Sequence, residues 1–219
     1  MNKLFVAKWL KRFSFIGIIV LSVYVLYLHN LVKDEFEKPV DSSYSQLSFE
    51  QYPKALINML LLVEDQSFFQ HSGVDFVEIA RVIRDTVVYD KPIRGASTIT
   101  QQLIKNTLLS REQTLTRKSK EILMALLFEY SFDKTFILQR YLNTVYMGQK
   151  GNLEVRGFAQ ASQFYFHKSV DTLTLEEMAT LVSLLKGPSY YHPIKHSQRL
   201  AKRRDLVLSI YHKFEKIVK

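Results

Sequence analysis

Apolar residues along the chain fall into blocks with a helical repeat, separated by short polar or glycine- and proline-bearing breaks. The first block differs from the rest: Phe13 to Leu28 carries no charge and is rich in Phe, Ile, Val, Leu and Tyr. As a helix this run rises about 24 Å, short of the roughly 30 Å hydrocarbon core of a bilayer. Tyr24, Tyr27 and His29 suit the interface at one end, and the stems of Lys3, Lys8, Lys11 and Arg12 can snorkel at the other. No small-x-small cleavage pattern follows, which predicts an uncleaved membrane anchor rather than a removed signal peptide, against the alternative of a buried core helix. Bases ahead of the span predict a cytoplasmic amino terminus, with everything after Val32 outside.

The remaining pattern predicts a polar tether over 33–47, with Pro39 and three serines, and then one helical domain over 48–219. Ser48-x-x-Gln51 has the form of a capping box, with Pro53 in the first turn of a helix through Leu56, Leu60 and Val63. Phe76, Ile79, Ala80, Ile83 and Val87 recur at helical spacing in a second stretch, and Pro92 and Gly95 break it. Helical patterns resume over about 97–109, 117–130, 134–143, 153–166, 175–186 and 198–217. Thr174-x-x-Glu177 is a second capping box, and Gly187-Pro188 a stop. No segment alternates long enough to demand a strand, so the predicted class is all-α.

Composition agrees with helices: 7 Gly and 5 Pro occur in 219 residues, against roughly 15 and 11 at average usage. The absence of cysteine removes a disulfide scaffold, a thiolate zinc site and a cysteine nucleophile. The net charge of +9 is concentrated at the ends. Five bases and no acid lie in 1–33, and eight bases with two acids in 195–219, which leaves the residues between at −2. A nucleic-acid partner would call for a basic stripe through the body of the domain, so none is expected.

Four clusters carry candidate chemistry. They are Glu64-Asp65-Gln-Ser-Phe68-Phe-Gln-His71-Ser-Gly73-Val-Asp75, Gly95-Ala-Ser97-Thr98-Ile-Thr100-Gln101-Gln102-Leu-Ile-Lys105-Asn106, Arg117-Lys118-Ser-Lys120-Glu121, and Lys134-x-x-Ile137-Leu-x-x-Tyr141-Leu-Asn143. In this order and spacing they resemble the peptidoglycan glycosyltransferase domain (glycosyltransferase family 51), found in monofunctional transglycosylases and in bifunctional penicillin-binding proteins. The resemblance runs from about 48 to 210, and the stretch Val145–Gly157 is most similar to the bifunctional subgroup. It implies a lysozyme-like helical fold with a smaller membrane-proximal lobe behind a single transmembrane helix. It also implies lipid II and a growing glycan chain as partners, with wall-synthesis or division proteins beside them. The bacterial inner membrane is the implied location, with the catalytic domain periplasmic or external. The implied reaction joins the 4-hydroxyl of lipid II to C1 of a lipid-pyrophosphate-linked glycan, inverting that carbon.

The residues suit such a reaction. A sugar hydroxyl needs a base within hydrogen-bond reach, a role the resemblance assigns to Glu64; the bland alternative is an exposed acid at a helix end. Asp65 is expected to cap the following turn. Departure of a pyrophosphate develops negative charge that cations and oriented donors must meet. Ser97, Thr98, Gln101, Gln102, Lys105 and Asn106 lie at or near the start of one helix, and Arg117 and Lys118 add a guanidinium fork and a point charge. Their alternative is an ordinary polar helix face. Glu121 lies four residues after Arg117, the spacing of a simple ion pair; the resemblance makes it the second important carboxylate, stabilising the donor site or holding a divalent ion. A carboxylate beside pyrophosphate needs a metal or a proton to avoid repulsion, so a divalent cation (Mg or Mn) at the pyrophosphate is one expectation and a proton without any cofactor the other. Where the family commonly has an arginine, this chain has Gln113, with Arg111 two residues earlier expected to reach the same phosphate. His71 is expected to be a hydrogen-bonding scaffold, not a metal ligand.

Phe76, Ile79, Ile83, Val87 and Val88 suit either a bilayer-facing surface or the core. The basic stretch Lys195, Arg199, Lys202, Arg203 and Arg204 suits anionic headgroups or a solvated helix face, with Leu200, Val207, Ile210 and Phe214 on the buried side. Ser131-x-x-Lys134 and Ser183-x-x-Lys186 match the transpeptidase serine motif, but no K-[ST]-G partner occurs and little chain follows, so a monofunctional enzyme is expected. A lytic enzyme of similar fold would not need the pyrophosphate-binding set. A catalytically weak lipid II-binding or scaffold protein finds support only in Gln113.

Overall fold

The computed structural model describes residues 3–40, 46–92, 95–110, 112 and 114–218. Two compact units divide the chain, 1–38 and 39–219. The first is one continuous helix, α1 (Lys3–Phe36), about 51 Å long at 1.5 Å per residue. Its section Lys11–Phe36 contains an 18-residue window with a mean hydropathy of 2.1 and is long and apolar enough to cross a membrane. Phe13, Ile16, Leu21, Val23 and Leu26 are exposed along it, an arrangement that water penalises and lipid does not. The helix runs past the predicted boundary at Val32 because nothing in Lys33–Phe36 breaks it, and Lys33 pairs with Glu37 at 3.4 Å beyond its end.

Among the described residues, the second unit is all-α apart from one short hairpin. It begins with a 3₁₀ turn, Phe49–Gln51, at which the Ser48/Gln51 box forms as predicted. Pro53 then stands at the N-cap of α2 (Lys54–Glu64), so the box caps the turn and not the helix. There follow α3 (Phe76–Tyr89), α4 (Ile99–Leu108), α5 (Leu115–Ser131), α6 (Lys134–Thr144), β1 (Tyr146–Lys150), β2 (Leu153–Arg156), α7 (Phe158–Phe166), α8 (Leu175–Leu184) and α9 (Ser197–Val218). The Thr174/Glu177 box opens α8. The antiparallel β1–β2 hairpin, with an irregularity between Tyr146 and Gly148, corrects the helix predicted from 153. Four or five residues are too few to display a period, and here backbone pairing decides.

Two packing groups make the core. Helix α8 lies against α9 and α2, and α4 lies against α5 and α6. Leu56, Met59 and Leu60 of α2 are buried, as are Leu181, Val182 and Leu184 of α8 and Leu200 and Val207 of α9. Ile99, Leu103 and Ile104 of α4 are buried with Met124 and Phe128 of α5 and Ile137, Leu138, Tyr141 and Leu142 of α6. Asn143 ties the entry segment to α6: its Oδ1 accepts from the Leu47 N–H and the Tyr52 hydroxyl, and its Nδ2 donates to Leu47 O and Gln139 O. Gly73 has φ +92°, and a Cβ there would stand 2.5 Å from the Ala125 carbonyl oxygen, so the loop after α2 passes directly over α5. On α3 the core reading fails for most of the predicted face. Val82 is buried, whereas Phe76, Ile83, Val87 and Val88 are exposed.

Candidate active site

The site is organised by the first turn of α4. Four amides at a helix start lack intrahelical partners, and here two of them reach carboxylate or hydroxyl oxygens. Thr98, the N-cap, accepts from the Gln101 N–H at 3.0 Å, and Gln101 Oε1 accepts from the Thr98 N–H at 3.1 Å. The Thr98 hydroxyl donates to Gly73 O at 2.7 Å. The Ile99 N–H donates to Asp65 Oδ2 at 2.8 Å. Asp65 therefore holds the start of α4, 34 residues away, as well as the turn that follows it, where its carbonyl accepts from the Phe68 N–H at 3.1 Å.

His71 completes this latch. Its Nδ1 accepts from the Gly73 N–H at 3.1 Å, which makes Nε2 the protonated nitrogen, and Nε2 donates to the two Asp65 oxygens at 3.0 and 3.1 Å. The scaffold role predicted for His71 agrees with these contacts. Behind it lies a charged cluster the sequence did not suggest. Glu129 accepts from the Thr100 hydroxyl at 2.5 Å and pairs with Lys134 at 2.6 Å, and the Lys134 ammonium lies 4.4 Å from the Phe68 ring centroid. Asp75 caps α3 by accepting from the Glu78 N–H at 2.7 Å. Burial pushes its carboxyl up, but the Ser67 hydroxyl, the Glu78 N–H and His71 outweigh that and hold it below the usual carboxylate value.

Consecutive residues on a helix point about 100° apart, and Gln101 and Gln102 use that divergence to reach different carboxylates. Gln102 Nε2 donates to Glu64 Oε2 at 3.1 Å, while Gln101 Nε2 lies 3.4 Å from Glu121 Oε1. Glu64 is the last residue of α2 and is half-buried; Gln102 is its single described side-chain partner. Glu121 is buried. Arg117 Nη1 meets its Oε2 at 2.5 Å, and Lys118 Nζ meets its Oε1 at 2.5 Å while also donating to Ser97 Oγ at 3.0 Å. The pairing expected of i,i+4 spacing is present, but it is desolvated and doubled, and the cluster keeps a net charge of +1.

Contacts thus join Glu64, Gln102, Gln101, Thr98, Ser97, Lys118, Arg117 and Glu121 into one constellation. Thr98 and Gln101 are buried, and their side chains are bonded to each other's backbone, to Gly73 O and to Glu121. Lys105 and Asn106 are exposed further along α4. Arg111 and Gln113 lie outside the described residues. A divalent cation at Glu121 does not fit the donor set, because both carboxylate oxygens already hold protein cations. No group of three His, Asp or Glu side chains suited to a metal occurs among the described residues. The counter-charge expected from a metal or a proton is supplied by Arg117 and Lys118.

Tyr141 is the other site residue that sequence reading left unassigned. It is fully buried on α6, and its hydroxyl donates to Gln102 Oε1 at 2.9 Å. Burial raises its pKa well above the usual phenol value, and the charges of Glu64 and Asp65 add to the rise. It stands in the fourth sequence cluster, but nothing local announces a polar partner 39 residues away.

A transglycosylase family profile matches residues 32–212. Penicillin-binding protein 1B of Haemophilus influenzae is 43% identical over 164 residues, 75% of this chain and 21% of that protein. Penicillin-binding protein 1B of Escherichia coli (strain K12) is 40% identical over 159 residues, 73% of this chain and 19% of the relative. Penicillin-binding protein 1F of Bacillus subtilis (strain 168) is 34% identical over 213 residues, 92% of this chain and 29% of the relative. The chain spans about a fifth to three tenths of the length of these curated relatives. With the family match covering both carboxylates, the amide-bearing first turn of α4 and the Arg117–Lys118 pair, the chain belongs to the transglycosylase family, that of the peptidoglycan glycosyltransferase domain.

Proposed function

We propose that the protein polymerises peptidoglycan glycan strands, transferring a lipid-pyrophosphate-linked chain onto the 4-hydroxyl of lipid II with inversion at C1. The observation that carries this reading is the pairing of a half-buried carboxylate, Glu64, with a separate cationic cluster across one helix turn. Glu64 is the general base: with Oε2 held by Gln102, Oε1 is left to accept the acceptor hydroxyl proton. As that O–H bond breaks, the oxygen forms its bond to C1, and the C1–oxygen bond to pyrophosphate breaks with its electron pair. Charge developing on the leaving phosphate is met by Arg117 and Lys118, with Lys105 exposed for a peripheral contact. Glu121 orients the two cations and limits their net charge, so that product pyrophosphate can leave.

A lipid-borne substrate fits the exposed apolar residues of α3, which we assign to the bilayer surface. The same reading places α1 across the bacterial inner membrane, amino terminus in the cytoplasm and catalytic unit outside. Wall-synthesis proteins are the expected company.

Polymerisation of labelled lipid II by the purified protein, beside a Glu64→Gln variant, tests the reading. Glycan strands from wild type with a loss of about 10²- to 10⁴-fold in the variant are expected. Degradation of finished glycan would identify a lytic enzyme. Lipid II binding without polymer would identify a binding protein.

A further inference from the structure

Gln102 has one acceptor and two donor hydrogens on its amide, and its orientation matters because it faces a carboxylate. The Tyr141 hydroxyl, sealed in the core at 0% exposure, donates to Gln102 Oε1, and this leaves Nε2 turned to Glu64. A flipped amide would set Oε1 against the Glu64 carboxylate. It would also force the Tyr141 hydroxyl to accept, leaving its own proton unpaired in a dry pocket, an arrangement that buried polar groups avoid.

Resting on the assignment of Glu64 as base, we infer that Tyr141 is a positioning residue that holds Glu64 in register through Gln102. While Glu64 is ionised, its charge alone favours an N–H from Gln102. Once it takes the acceptor proton, that preference weakens, and Tyr141 is then the group that keeps the amide from turning. Because its hydroxyl is buried and strongly disinclined to ionise, Tyr141 stays a donor throughout the cycle. The phenol touches neither base nor substrate; its effect travels through one amide. Helices α2, α4 and α6 are joined at this point by two hydrogen bonds between residues 38 and 39 positions apart.

Steady-state polymerisation of lipid II should be compared for wild type, Tyr141→Phe, Gln102→Ala, the double variant, and Glu64→Gln as reference. Phe keeps the ring that fills the core, so the variant removes the hydroxyl alone. Tyr141→Phe is expected to lower kcat by about tenfold with KM for lipid II within about twofold, the scale of one lost hydrogen bond. In the Gln102→Ala background the same change should have no further effect, because the link it acts through is gone. A purely structural role would lower the active fraction equally in both backgrounds, so a loss that persists with Gln102→Ala overturns the inference. An unchanged kcat in Tyr141→Phe, or a loss confined to KM, overturns it as well. Where wild type polymerises and Glu64→Gln does not, such results leave the base assignment standing. Equal activity of Glu64→Gln and wild type would remove the base, and the relay with it.

Discussion

Replacing Glu121 by alanine removes the one anion between Arg117 and Lys118 and leaves two cations facing each other. Glu121 has 2% of its side chain exposed, against 16% for Arg117 and 37% for Lys118. Breaking a buried ion pair costs about 3–5 kcal/mol when the surviving partner stays buried. Here both survivors can turn partly toward water, which puts the loss near the lower end, about 3 kcal/mol. At about 2–4 °C per kcal/mol for a domain of this size, the melting temperature should fall by roughly 6–12 °C. Glu121→Gln keeps the volume and the contact with Gln101, and should lose less. The residual repulsion is electrostatic, so the deficit should shrink in 1 M salt, where the Debye length is about 3 Å. Thermal melts of the detergent-solubilised protein at low and high salt read both effects. A melting temperature within about 2 °C of wild type in low salt would refute the desolvated pairing from which the estimate comes.

Asp75 gives a pH test. Its folded carboxyl lies below the unfolded value, so the folded state binds the proton more weakly. Its stabilisation is therefore complete above about pH 4 and is lost as the pH falls through the folded value. Asp75→Asn should narrow its stability gap to wild type in urea melts taken from pH 6 to pH 3, and a gap constant over that range would be contrary. As the N-cap of α3, Asp75→Ala should cost about 1 kcal/mol at neutral pH, read as a shift of the urea midpoint. Gly73→Ala should destabilise by at least about 2 kcal/mol, since it combines a left-handed backbone with a Cβ driven onto the Ala125 carbonyl; a neutral urea melt would contradict that close approach.

Local interactions were readable from the chain because they span three or four residues. The capping box at Thr174 opens its helix as its spacing predicted, while the one at Ser48 caps a 3₁₀ turn ahead of α2. The helical repeat located α3 to α9 within a few residues, except where the short β2 strand replaced the first turn predicted for α7. The family resemblance added Glu64, Glu121, Arg117 and Lys118, which the fold brings together as one constellation. Direction was hidden. The repeat of Phe76, Ile83 and Val87 marks a helix face but not what covers it, since apolar spacing is the same against lipid and against a core. Partners were hidden too. Thr98 and Gln101 have the look of ligand-facing polar residues, and both are also bound into tertiary contacts; Tyr141 stands in the fourth cluster with no partner in view, and its hydroxyl meets the amide beside Glu64. Asp65 meets Ile99, and Asn143 meets Leu47 across 96 residues. Residue type states what a side chain can donate or accept. Which group receives it, and whether water competes, is settled by chain segments brought together only when the helices pack.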